Sequence, residues 1–185
     1  MRGPEKGRDQ ACGMTLVELV VALGIIGVLA GVAIPGILGS IQRRGADGAS
    51  RRLTEDIRLA QSTALTRGVQ ARLVVFDDTG TAPNLPSTGN LSDSTKANKY
   101  RVEIRTSTSA AWPGLSDLPG PNSNALTEWN DIPSNYRAVR VTTGNTVVFN
   151  SMGGLVNGSA PSIVLEGTGG TRTVQTNLIG RATIQ

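Results

Sequence analysis

Glu18 is the ionisable residue whose placement most needs a reason. It stands behind only Met14, Thr15, Leu16 and Val17 at the head of an apolar run. From Leu19 to Ile41, about 23 residues, no ionisable side chain follows. A carboxylate at that depth in an apolar medium is costly, less so near the end of a span than at its centre. Two arrangements would offset the cost. In the first turn of a helix the charge meets the positive end of the helix dipole; alternatively, it pairs with a cation on another subunit. Elsewhere the chemistry is sparse. Asp77-Asp78 has the composition of an acid pair or metal ligand, but adjacent carboxylates at a strand end read as a solvated turn. Histidine is absent, and Cys12 is the single cysteine. That leaves no His general base, no Ser–His–Asp triad, no His metal ligand and no intramolecular disulfide. There is no Gly-x-x-x-x-Gly-Lys-[Ser/Thr] phosphate loop either. The expectation is a chain without catalytic residues, metal or cofactor.

The elements around Glu18 are legible. Residues 1–13, MRGPEKGRDQACG, are short, polar and charged. The run that follows, at about 1.5 Å rise per residue, makes a helix of roughly 35 Å, against a hydrocarbon core of about 30 Å. The first reading is therefore one transmembrane helix over 14–41. A secretory signal would be shorter and would carry its small residues after the apolar region; a lipoprotein signal would likewise place the cysteine after it. Cys12 and Gly13 precede it. A buried core helix is the minority alternative. Gly24, Gly27 and Gly31 suit close helix packing. Three Lys/Arg precede the run, while Arg43, Arg44, Arg51 and Arg52 follow it, so the positive-inside rule does not choose an orientation.

The helical pattern continues over 42–68. Leu53, Ile57, Ala60 and Ala64 recur at three- and four-residue spacing, with Arg51, Arg52, Glu55, Asp56 and Arg58 between them. This is an amphipathic helix with a narrow apolar face, and Gly68 is its stop. Pro35, Gly36, Gly39, Gly45 and Gly48 weaken the junction, which should bend or melt on subunit packing. Over 69–185 the pattern changes to short strands: 71–76, 100–105, 139–141, 146–149, 162–166, 172–178 and 181–184. Residues 100–105 alternate strictly, as a half-buried strand does. The fold class is α+β, one long N-terminal helix packed on an antiparallel sheet. Residues 77–99 and 106–135 are polar connections. Trp112 and Trp129 lie in the second, and we read them as pins holding it on the sheet, with a partner surface as the alternative. The net charge of +4 is mildly basic and permits acidic partners or nucleic acid without requiring them.

Gly13 followed by Met14-Thr15-Leu16-Val17-Glu18 resembles the processing site of type IV prepilins and type II secretion pseudopilins. The short charged leader, the glycine, the acid at the fifth position from Met14 and Pro35 at the twenty-second all match; Met14 stands where that family usually has Phe. Val148-Phe149-Asn150-Ser151-Met152-Gly153-Gly154, the Ile163-Val164-Leu165 strand, Gly180-Arg181, Ala60-Gln61-Ser62 and Arg67-Gly68 resemble the GspH/FimT group of minor pseudopilins and minor pilins. The resemblance implies a pilin-like fold and a bacterial inner-membrane, single-pass protein with its C-terminal domain periplasmic or extracytoplasmic, which then enters a filament. It implies cleavage after Gly13 by a prepilin peptidase and N-methylation of Met14. The cut would remove the only cysteine. Glu18 would pair with the Met14 amine of a neighbouring subunit, an amine mostly cationic at neutral pH. The implied partners are other pseudopilins or pilins, the peptidase and the inner-membrane assembly platform. The leading expectation is a minor pseudopilin of type II secretion; the alternative is a minor pilin of a type IV pilus. Some FimT-type pilins capture DNA through Gly-Arg-x-Arg, and here Gly180-Arg181-Ala182-Thr183 lacks the second arginine. Arg172, Arg181, Arg137 and Arg140 are the remaining candidates for a DNA contact, which is not favoured.

Overall fold

The computed structural model describes residues 15–85, 89–120, 123–156 and 160–185, with side chains for all of these except 30, 32–43, 84 and 85. Gly13 and Met14 lie outside the described residues, as does the side chain of Pro35. The chain divides into two compact units that part between Ser40 and Ile41.

In the first unit, α1 begins at Leu16 and runs to Arg43. Thr15 starts it: its Oγ1 accepts from the Glu18 amide at 3.2 Å, and its carbonyl accepts from the Leu19 amide. This is an N-cap, filling one of the donors a helix start leaves unpaired. Leu16, Val17, Val20, Leu23 and Ile26 are exposed in the single chain. Among the described residues no helix is long and apolar enough to cross a membrane; much of the span expected over 14–41 falls on side chains outside the described set.

In the second unit, α2 spans Gly45–Arg67 and stops at Gly68, whose left-handed backbone (φ 63°) brings the Val69 N–H to the Ala64 carbonyl at 3.2 Å. The apolar face expected at Leu53, Ile57, Ala60 and Ala64 is buried, extended by Ala46 and Ala49. One expectation fails here. Asp56 belongs to the buried side and not to the solvent face, because it has a hydroxyl partner across the interface (below).

Two four-stranded antiparallel sheets pack on α2, where one was expected. The first has the order β5-β4-β1-β7, with β1 Gln70–Val75, β4 Lys99–Arg105, β5 Asn130–Asp131 and β7 Val147–Phe149. The second has the order β10-β9-β8-β6, with β6 Arg140–Thr143, β8 Ser162–Gly167, β9 Gly170–Thr176 and β10 Ala182–Ile184. Strand 172–178 therefore ends earlier than expected, at Thr176. One core joins both sheets to the helix, with Leu53 and Ile57 from α2 against Leu73, Val102, Phe149, Ile163, Leu165 and Val174.

The polar connections hold more structure than their composition implies. Residues 77–99 contain a hairpin, β2 Thr81–Leu85 and β3 Gly89–Ser92, and a 3₁₀ turn at Ser94–Lys96. Residues 106–135 include β5 and the four-residue helix α3, Ile132–Asn135, started by the Asp131 side chain.

Candidate functional site

The N-terminal turn of α1 carries the first candidate. Thr15 at the cap and Glu18 three residues on share one turn, so the carboxylate sits where the helix dipole favours it. Glu18 is exposed and has no ion pair among the described residues. The charge-at-a-helix-start reading is thus satisfied locally, and the carboxylate stays open to a cation from outside the chain.

The arginines singled out for DNA do not form one free patch. Arg172 Nε lies 2.5 Å from Asp47 Oδ1. Arg140 donates to Glu166 at 2.9 Å and stands 3.8 Å from Asp78; the hydrogen bond to Glu166 raises its pKa further above the ordinary guanidinium value. Arg137 and Arg181 are exposed. Gly180 has a packing role: its φ is +84°, and an added Cβ would lie 2.8 Å from Phe149 Cε1. Gln61 Nε2 donates to the Gly153 carbonyl at 2.9 Å and to the Ile179 carbonyl at 3.0 Å. Gln61, the Asn150–Gly154 turn and Gly180 are far apart in sequence, and the fold gathers them into one clasp at the C-terminal end of α2. Asp77-Asp78 is a turn, as expected: Asp77 Oδ1 accepts from the amides of Thr79 and Thr81.

Sequence reasoning missed the outer face of the first sheet. Residues 100–105 are buried on both faces, so the half-buried reading is corrected. Glu103 lies between Arg72 and Arg101, 2.6 Å from the Nε of each, and all three are buried. Residues 106–120 and 123–129 lie over them as a strap. Arg101 donates to the carbonyls of Gly114 and Asp117. Trp112 stacks on Arg72 and Arg105, 4.2 and 4.7 Å from the ring centre. Trp129 covers Arg101 at 4.4 Å, meets Phe76 edge-on and donates to the Leu115 carbonyl. The two tryptophans therefore pin the strap, and the charge alternation of β4 was the sequence signal of the ion pairs beneath it. Desolvation lowers the Arg72 pKa against the pull of Glu103. On the opposite face, against α2, Tyr100 donates to Asp56 Oδ2 at 2.8 Å and accepts from Asn130 Nδ2; Arg52 lies 3.3 Å from the same carboxylate. A cavity of about 270 Å³ opens beside them. Among the described residues no cluster of His, Cys, Asp and Glu could hold a metal ion.

The prokaryotic N-terminal methylation motif matches residues 8–34. The family of type II transport protein GspH matches residues 49–180. No curated protein matches the chain in sequence. Two crystal structures of the type IV minor pilin FimU from Pseudomonas aeruginosa are similar at 14% identity. One has a TM-score of 0.47 over 77% of this chain and 90% of that chain; the other has 0.45 over 75% and 91%.

Proposed function

Because the chain belongs to the GspH family, whose pattern covers residues 49–180, we propose that it serves as a minor pseudopilin of a type II secretion system. It is a pilin-like minor subunit with an N-terminal methylation motif, and it is a structural protein and not an enzyme. In the proposed sequence of events the subunit waits in the inner membrane with 14–41 as its single span and its folded unit on the periplasmic side. A prepilin peptidase cuts after Gly13 and methylates Met14. The subunit then joins a short filament of other pseudopilins at the assembly platform.

The observation that carries this reading is the capped turn at Thr15–Glu18 inside the methylation motif. A carboxylate held at a helix start, ahead of an exposed apolar face, is suited to take the free amine of a neighbouring subunit while both apolar faces become buried. Removing the lone charge from lipid by pairing it would favour assembly over storage. The carboxylate takes no part in the Thr15 cap, which uses the Glu18 amide. Glu18→Gln and Glu18→Ala should therefore leave helix and cleavage intact and reduce incorporation into filaments. Shearing and immunoblotting measure incorporation, and a size shift measures cleavage; normal incorporation of both variants would sink the proposal. The DNA-capture reading is weakened by the carboxylate partners of Arg172 and Arg140.

A further inference from the structure

The positive charge that follows the apolar run is not spread evenly over the folded unit. Arg44 and Arg51 are seven residues apart, two helical turns, and so lie on one face of the helix start; both are exposed. Arg137 is exposed in the turn after α3, and its carbonyl lies beside Gly45, within 3.6 Å of where a Cβ would stand. Arg172 reaches the same end through Asp47 in the first turn of α2. The carboxylates near this end are Asp47, taken by Arg172, Glu166, taken by Arg140, and Glu55, one turn beyond Arg51 and 3.8 Å from Arg52. Arg44, Arg51 and Arg137 make no salt bridge among the described residues. The N-terminal end of α2 therefore wears a collar with a surplus of guanidinium charge. The opposite end, with Arg67 and Arg181, carries the Gln61 clasp.

We propose that this collar docks on anionic phospholipid headgroups while the subunit is stored in the membrane. The inference rests on the reading of 14–41 as the membrane span. Arg44 is three residues beyond Ile41. Chain connectivity alone keeps it within roughly 10 Å of the end of the apolar run, about one Debye length at moderate salt. Guanidinium groups bind phosphate in a bidentate fashion, and juxtamembrane basic groups are drawn to anionic lipid surfaces. The docking also gives Arg44 and Arg51 a reason to follow the span, where the positive-inside rule does not choose an orientation. They would hold the folded unit against the far leaflet until filament packing competes for it.

Arginine footprinting with phenylglyoxal tests this on the full chain in lipid nanodiscs, one set zwitterionic and the other containing about one third phosphatidylglycerol. Modification of Arg44, Arg51 and Arg137 should slow several-fold in the anionic discs, while Arg67 and Arg181 in the same molecules react at unchanged rates. About 0.5 M salt should restore the rates. Equal rates at the collar in both kinds of disc, or equal slowing at all five arginines, overturns the docking alone. A chain that enters neither kind of disc overturns the membrane span and the docking with it. Protection of the collar by added duplex DNA on zwitterionic discs, without protection by anionic lipid, overturns it in favour of nucleic acid.

Discussion

Tyr100 and Asp56 form a contact between α2 and β4 that ties stability to pH. The Tyr100 hydroxyl is buried and donates to the Asp56 carboxylate. Burial raises its pKa first, and the neighbouring carboxylate raises it further. The unfolded chain ionises its tyrosines near pH 10, while the folded chain keeps Tyr100 protonated. Above that pH the folded state holds the extra proton, so stability falls as pH rises. The contribution is complete below about pH 10 and is lost as pH climbs toward the folded value. Thermal melts from pH 8 to 11 should show the midpoint dropping at the alkaline end. Tyr100→Phe should lower the stability by about 1.5–3 kcal/mol at neutral pH and flatten the alkaline slope; an unchanged slope would mean that another group is responsible. At this scale the sequence was only partly readable. Asp56 looked like a solvent-face residue of an amphipathic helix, because helical spacing cannot show a hydroxyl arriving from a strand 44 residues away. Glu18 was readable, since one charge ahead of a long apolar run needs no tertiary knowledge to stand out.

At the scale of elements, the strap over β1 and β4 carries the largest departure from sequence expectation. Strict alternation in Tyr100–Arg105 usually means one wet face. Here Arg72, Arg101 and Glu103 are dry because Gly114 and Asp117 supply carbonyl acceptors and Trp112 and Trp129 two indoles above them. Such a segment has no periodicity, and nothing in its composition separates a strap from a solvated loop. The tryptophans gave the one hint. Helix α2 was far more legible, because its small and branched apolar residues recur every three or four positions and Gly68 ends it. The strap hangs on Trp112 in a specific way. Its indole N–H is buried without a hydrogen-bond partner among the described residues, and its described contacts are the Arg72 and Arg105 guanidinium groups. Trp112→Ala should therefore cost about 1–2 kcal/mol and free the strap locally. Chymotrypsin should then cut after Leu115, ahead of Ser116, under conditions where the parent chain is spared. Equal cleavage of the two proteins would show that Trp129 and the Arg101 hydrogen bonds suffice.

At the scale of the whole molecule, the division between Ser40 and Ile41 has a thermodynamic meaning. Every member of the main core, from Ala46 to Ala182, lies in the second unit. That core closes both sheets on α2. Its outer sheet face is covered by the strap, and its helix end is fastened by Gln61. The first unit presents exposed apolar side chains on α1, which need lipid or neighbouring subunits. The expected change from apolar run to amphipathic helix to strands was visible because each obeys its own period. The split of the strands into two sheets was not, since pairing partners such as β1 with β7 are set by long-range register. If the core is as self-contained as this implies, residues 42–185 should fold without the N-terminal segment. They should give one cooperative thermal transition, with near-ultraviolet circular dichroism from the strapped tryptophans lost at the same midpoint. They should also stay monomeric where the full chain needs detergent or lipid. A non-cooperative melt, or tryptophan signals absent from the start, would mean that α1 contributes to the fold and does not serve assembly alone.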